Sequence, residues 1–521
     1  MALSLLAGLD LGAGRRAVHA AGAAPAAAAG ETQPALSGAG PESERARKRK
    51  TYLPLAVNTS NSFYVSTGGS DKKGNGSASR PWKTIETALK RAPDGATILV
   101  KPGTYHGRVD LDRRFKQGVT VRSEVPYAAR LRNKKDKVVS VCKGAGITLS
   151  GFDIAHEKGA SGRYVVQIHG CDKNRPTERI TLHNNIIHDS YYDDLLKVNN
   201  GARQILVEGN LFYNMGGPET DNHIDVNSVS DVTIQDNIFF NCFEGSGRAN
   251  RNRTGHFIII KDSNKNSDGL EGSRDIRVRR NIFLNWQGEA GSAFIGIGDG
   301  RKLNYHQARD VLIENNLMLG NSRFKIHTPL KVTGGKNITF RNNTVQGDLP
   351  SHSYAMRLMP GSTGLKNVNI RFYNNIWSDP AGTMGAEPGS ESLRFSNTPR
   401  SATASFNLAN NLYWNGGRAI PEDSQHLINA SKDRRRVVAN PKLNGAQKGV
   451  VPPCWSASRG RFDDGSTTIR QAFTRLAQEY ARLGAGSPAI NAADGKNAPA
   501  DDILGRPRPA GAADIGAYEA P

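Results

Sequence analysis

The chain has 521 residues, enough for several compact domains or for one extended repeat array. Its 69 Lys and Arg against 48 Asp and Glu leave a net +21, which favours a polyanionic partner. Nucleic acid is set aside because no zinc spacing or other nucleic-acid motif accompanies the charge, and no run of about 18 apolar residues exists to span a membrane.

Residues 1–60 read as lying outside the core. Arg15-Arg16 followed by the Ala-rich Ala17–Gly30 has the character of a secretory segment with a small-residue cleavage zone, so a secreted or periplasmic location is expected. Pro41–Lys50, ending in Arg45-Ala46-Arg47-Lys48-Arg49-Lys50, reads as a solvated basic linker.

Phe63-Tyr64-Val65-Ser66 is a strand. Pro81–Lys90 is helical by the spacing of Ile85, Ala88 and Leu89, and Ala96–Val100 is a second strand. From there a unit repeats: a short alternating strand, an Asn, then another apolar pair, as in Ser230–Asn241 (SDVTIQDNIFFN), Glu178–Asp189 and Lys336–Gly347. Asn185 to Asn210 is 25 residues, Asn210 to Asn237 is 27, and Asn316 to Asn343 is 27. Strands of period 2 repeating in the twenties, without an internal helix, predict an all-β solenoid of parallel strands, and crossover chirality makes it a right-handed parallel β-helix. The recurrent Asn fits a bend where its amide satisfies both the turn and the Asn above. The helix over 81–90 then caps the first open turn.

The β-helix is assigned to 61–415 and a C-terminal extension to 416–521. Within the extension, 466–484 is an amphipathic helix with Ile469, Phe473, Leu476, Tyr480 and Leu483 on one face, expected to pack on the solenoid. Cys142 and Cys171 lie about one turn apart and pair if the compartment is oxidising. Buried or stray thiols are the plainer expectation for these two and for Cys242 and Cys454.

The segment FYVSTGGSDKKGNGSASRPWKTIETALKRAPDGATILVKPGTY (Phe63–Tyr105) resembles the start of secreted bacterial right-handed parallel β-helix proteins of the pectate-lyase-like superfamily. SPAINAADGKNAPADDILGRPRPAGAADIGAYEAP at the C-terminus resembles an ending seen in the same group. The resemblance covers roughly 61–415 and 486–521. It is specific for fold and weak for reaction.

A second register precedes each repeat: Val166-Gln167-Ile168, Leu196-Lys197-Val198, Ile224-Asp225-Val226, Ile258-Ile259-Ile260, Ile295-Gly296-Ile297, Leu330-Lys331-Val332 and Met356-Arg357-Leu358. Apolar flanks point in, so the middle residues point out, one per turn of about 4.8 Å. With their neighbours two residues away they set Gln167, His169, Lys197, Asn199, His223, Asp225, Asn227 and Lys261 on one mid-face stripe, with Asp193-Asp194 beside it and Lys331 and Arg357 as isolated bases further along.

For an acidic polysaccharide this stripe suits β-elimination, in which the uronate carboxylate is neutralised and a base takes the adjacent proton. Lys197 is the expected base and Lys261 the second choice. Bare carboxylates would hold Lys197 protonated, so calcium among Asp193, Asp194 and Asp225 is expected, an arrangement that resembles the calcium-plus-lysine sites of some β-helix polysaccharide lyases. Gln167, His169, Asn199, His223, Asn227, Lys331 and Arg357 are the expected substrate contacts, Tyr191, Tyr192, Phe257 and Phe294 are nearby aromatic platforms, and the protein is expected to act as a monomer.

Two other readings fit the same residues. Asp193, Asp194 and Asp225 are paired carboxylates that would serve a hydrolase. A non-catalytic glycan-binding solenoid needs only a structural stack in which Lys197 pairs with Asp225 one turn away.

Overall fold

The computed structural model describes residues 61–521 apart from 217–220, 244–245, 247, 249–253, 265–266, 289–291, 348–353, 386–393 and 444–448. The signal-like segment and the basic linker lie outside the described residues. Strands of successive turns pair in parallel to build three long sheets, two of twelve strands and one of nine. The fold is a right-handed parallel β-helix.

The first sheet is made by the repeat strands, such as Glu178–His183, Arg203–Glu208 and Ser230–Gln235. Ile180, Ile205, Val232 and Ile276 stack in register along its inner side, each at most 2% exposed. The apolar pair after each Asn forms the second sheet, with Ile186–His188, Leu211–Tyr213 and Ile238–Phe240 in register. Its inward column stacks Phe212 on Phe239 and Phe239 on Phe283 at 5.1 and 5.0 Å between ring centres, so like side chains fill the core turn after turn.

The corner between these sheets explains the Asn. The preceding residue has a left-handed backbone, with φ of 54° at Asn184, 58° at Asp236 and 55° at Asn315, which Asn and Asp tolerate better than most residues. The ladder residue is then fully buried, and its amide donates to the next Asn up the column at 2.9–3.1 Å from Asn185 through Asn210, Asn237, Asn281, Asn316, Asn343 and Asn375 to Asn411. Asp433 ends the ladder by accepting from Asn411 at 2.8 Å. Each buried amide is thereby satisfied from within the fold.

The N-terminal cap is the helix Ile85–Arg91, started by Thr84 and burying Ile85, Ala88 and Leu89 on the solenoid core. Its start falls a few residues after the expected Pro81, because Thr84 takes the N-cap role.

The C-terminal extension folds back over the second sheet. Helix Ile469–Tyr480, opened by a Thr468–Gln471 capping box, buries Ile469, Phe473, Leu476 and Tyr480 in one cluster with the outward Ile186, Leu211, Ile238, Ile282 and Leu317 of that sheet. The helix is shorter than 466–484, and Leu483 packs separately with Ile376 and Leu412. Asp501 pairs with both Arg279 and Arg280, and Cys242 bonds Cys454 across 212 residues of sequence. Cys142 bonds Cys171 as well, so the thiols expected at these positions are instead two disulfides. Among the described residues no helix is long and apolar enough to cross a membrane.

Candidate functional site

The nine-stranded third sheet carries the second register. Gln167, Lys197, Asp225, Ile259, Gly296, Lys331 and Arg357 fall in one column, and His169, Asn199, Asn227 and Lys261 in the next. The flanking Val166, Ile168, Leu196, Val198, Ile224 and Val226 are fully buried. The polar column therefore lies on the outer face, held by the same apolar alternation that fills the core.

The centre of this face is an ion cluster. The ammonium of Lys197 donates to Asp225 Oδ2 and lies 3.5 Å from Asp194 Oδ2, while Lys261 reaches Asp225 at 3.2 Å and Asp299 at 3.9 Å. Burial alone would lower the Lys197 value, but Asp225 and Asp194 overcome it and hold the ammonium protonated well above the ordinary lysine range. Burial would likewise raise Asp225, and the two lysines instead pull it below the ordinary carboxylate value. Lys197 also lies 5.8 Å from the centre of the Tyr164 ring. Further along, Arg357 donates to His327 Nδ1 at 2.8 Å. The Lys331 ammonium, one turn before Arg357, makes no ion pair or hydrogen bond among the described residues, and burial followed by the Arg357 charge pushes it below the ordinary lysine value.

The carboxylate group differs from the expected one. Asp193, Asp194 and Asp221 each bring an oxygen within 4.8 Å of the others, whereas Asp225 is engaged by the lysines. Burial, then Asp225, Asp193 and Asp221, keep Asp194 well above the ordinary carboxylate value, and burial raises Asp193. The Asp193 and Asp194 carboxyls resist ionisation, and with Asp221 they are clustered hard oxygen donors that fit a calcium ion, which would remove that cost.

Of the expected substrate contacts, Gln167 donates to Asn199 at 3.2 Å, Asn227 exchanges hydrogen bonds with Ser263, and His169 is half-buried at the edge of the second column. His223 is not on this face. At the corner entering this sheet two consecutive residues face inward, as at Val165-Val166, Leu195-Leu196 and Phe257-Ile258, so the alternation slips by one between His223 and Ile224 and His223 points into the core, fully buried against Phe257 at 4.5 Å and bonded to Asn241, with burial lowering its value to about 3. Phe257 and Phe294 are core residues for the same reason and offer no platform; Tyr191 is half-buried beneath Arg248, and Tyr192 is 41% exposed.

The slip brings out two residues that the sequence reading missed. Asn222 donates its backbone N–H and its side-chain amide to Asp194 Oδ1 at 2.8 and 3.1 Å, and its Oδ1 faces His256 Nδ1 at 3.2 Å. The His256 ring crosses the outer face where a side chain at Gly296 would stand: a Cβ there would meet its Cδ2 and Nε2 at 2.5 and 2.6 Å. A glycine in the middle of a strand triplet was the available signal, since it marks a close approach.

Fold and site together define a parallel β-helix with a cluster of charged side chains on the outer face of its third sheet. No family model matches the chain, and no curated protein matches it. Among solved structures it is similar to pectate lyase Pel9A, at 15% identity over 88% of this chain and 96% of that one with a TM-score of 0.49. It is also similar to XylC in complex with xylose, at 12% identity over 88% and 98% with a TM-score of 0.47, and to the PL6 family alginate lyase AlyGC, at 14% identity over 74% and 54% with a TM-score of 0.44.

Proposed function

We propose that the outer face of the third sheet binds an acidic, uronate-containing polysaccharide and cleaves it by β-elimination. The observation that carries this reading is the placement of Lys331 and Arg357 in register on neighbouring turns, with Lys331 unpaired among the described residues and its ammonium destabilised. Arg357 pairs with the uronate carboxylate, which makes the adjacent C–H acidic. The Lys331 amine takes that proton, a carbon–carbon double bond forms as the C–O bond to the leaving sugar breaks, and the departing oxygen takes a proton from solvent.

This moves the base from Lys197 to Lys331, because Lys197 is locked by Asp225 and Asp194. Lys197, Asp225 and Lys261 then form an ion-paired cluster that keeps this face polar and rigid. Asp193, Asp194 and Asp221 would hold calcium, which when bound supplies positive charge for a further substrate carboxylate. The two disulfides support the exported location expected from the Ala-rich segment.

One observation favours hydrolysis instead: Asp194 is pushed up and Asp225 pulled down on either side of one ammonium, the split that separates a general acid from its partner. Both carboxyls are enclosed, at 1% and 2% exposure, which weighs against direct attack on a sugar.

The test is incubation with alginate, pectate, a glycosaminoglycan and a neutral glycan, each with and without chelator, followed by ultraviolet absorbance. The expected result is unsaturated product from an acidic glycan alone. Reducing ends without unsaturation would establish the hydrolase, and binding without turnover the glycan-binding solenoid.

A further inference from the structure

The orientation of the Asn222 amide is fixed by its neighbours. Asp194 Oδ1 accepts the Asn222 backbone N–H at 2.8 Å, so this oxygen is an acceptor whatever the protonation of the other, and the side-chain atom of Asn222 that lies 3.1 Å from it is the NH2. The Asn222 oxygen therefore faces His256, and Nδ1 of the ring must donate to it across 3.2 Å. The other ring nitrogen, Nε2, is then a bare lone pair. It is shielded from solvent and has no hydrogen-bond partner among the described residues.

Position shows what that lone pair faces. The ring lies over Gly296, with Nε2 2.6 Å from where a Cβ would stand, and Lys331 is the residue paired with Gly296 on the next turn. The lysine is thus the outward residue one turn beyond the space the imidazole fills, its ammonium forms no hydrogen bond to Nε2 in this structure, and burial followed by the Lys331 and Lys261 charges lowers the ring to about 3, so it stays neutral. A neutral amine that donates one N–H to Nε2 keeps its own lone pair turned away from the sheet, toward a ligand.

We propose that Asp194, Asn222 and His256 form a hydrogen-bond relay across successive turns whose Nε2 end accepts from Lys331 and positions its amine for proton removal. His256 is a positioning residue acting through Lys331, and Gly296 leaves the space that the ring needs. The proposal rests on the lyase reading for its catalytic role, while the state of the ring stands on the relay alone.

The test has two parts, both on the full chain. Nitrogen-15 shifts of the histidines, with the His256 signals assigned by their loss in His256→Gln, should show the Nδ1–H tautomer and no titration between about pH 5 and 8. An Nε2–H tautomer, or titration near the ordinary histidine value, would overturn the relay. In the second part, alginate and polygalacturonate are the probes. His256→Ala and Gly296→Ala should each lower kcat about 10- to 100-fold with KM held, since Arg357 still engages the carboxylate. His256→Gln, which returns an acceptor near Nε2, should recover most of the loss, and the double variant should be no worse than His256→Ala. An unchanged kcat in a folded His256→Ala, or losses that multiply in the double variant, would overturn the positioning role. Absence of unsaturated product from the wild type would sink the lyase reading and Lys331's part in it, whereas the nitrogen shifts judge the relay independently.

Discussion

The second and third sheets belong to the same solenoid and share its period, yet their outer faces have opposite fates. Outward positions of the second sheet are apolar: Ile186, Leu211, Ile238, Ile282 and Leu317 are fully buried beneath the C-terminal extension. Outward positions of the third sheet hold Lys197, Asp225, Lys331 and Arg357 in one column, and among the described residues the two apolar clusters that hold helix Ile469–Tyr480 and Leu483 include no residue of that sheet. Inward residues build the same core in both, so they do not distinguish a face to be covered from a face to be used. The outward column does.

The comparison is broken most forcefully at Asp225. Asp225→Ala leaves Lys197 and Lys261 without their shared partner in an enclosed site, and should cost about 3–5 kcal/mol of stability, read by denaturant unfolding. A loss below about 1 kcal/mol would mean that the cluster is effectively solvated. On the covered face, Cys242→Ser with Cys454→Ser should cost about 2–4 kcal/mol and free the extension to proteolysis before the solenoid unfolds. Simultaneous cleavage of both would show that the extension does not depend on this tie.

The corner shared by both regions gives a smaller effect. Asn281→Ala removes the donor to Asn316 Oδ1 and to the Ile234 carbonyl, and should lower stability by about 1–3 kcal/mol while activity per folded molecule persists. A stable but inactive variant would put the ladder in the site.

The mildest probe is acid. Asp225 has a folded value below the ordinary carboxylate one, so its stabilisation is present above the unfolded value and is lost as pH falls through the folded one. Acid unfolding of the wild type should therefore steepen below about pH 4 relative to Asp225→Asn. Parallel curves would remove Asp225 from the balance.

The apolar and charged faces were unequally legible in the sequence. Apolar flanks around one variable residue gave the third-sheet register at Gln167, Lys197, Asp225, Lys331 and Arg357, because period 2 leaves no other arrangement that buries the flanks. The Asn ladder was equally readable, since one residue type recurred at each corner. His223 was misplaced because strict alternation was carried past the corner, where Val165-Val166, Leu195-Leu196 and Phe257-Ile258 place two consecutive residues inside and His223-Ile224 takes the same positions. The same slip hid Asn222 and His256, which precede their apolar triplets, and it exchanged Asp225 for Asp221 in the carboxylate group. The tie between Cys242 and Cys454 was invisible because only the return of the extension across the second sheet brings them together.

The central claim is that the open face removes a proton next to a uronate carboxylate through Lys331, and it is tested most directly by comparing turnover of wild type, Lys331→Ala and Lys197→Ala on alginate and polygalacturonate by absorbance of the unsaturated product. The account predicts a loss of about 10²–10⁴ for Lys331→Ala with its fold intact. It also predicts that the wild-type rate rises with pH through a lysine value displaced below the ordinary one, and that Lys331→Ala loses this rise. Full activity in Lys331→Ala, with turnover abolished in a folded Lys197→Ala, would contradict the account and return the base to Lys197.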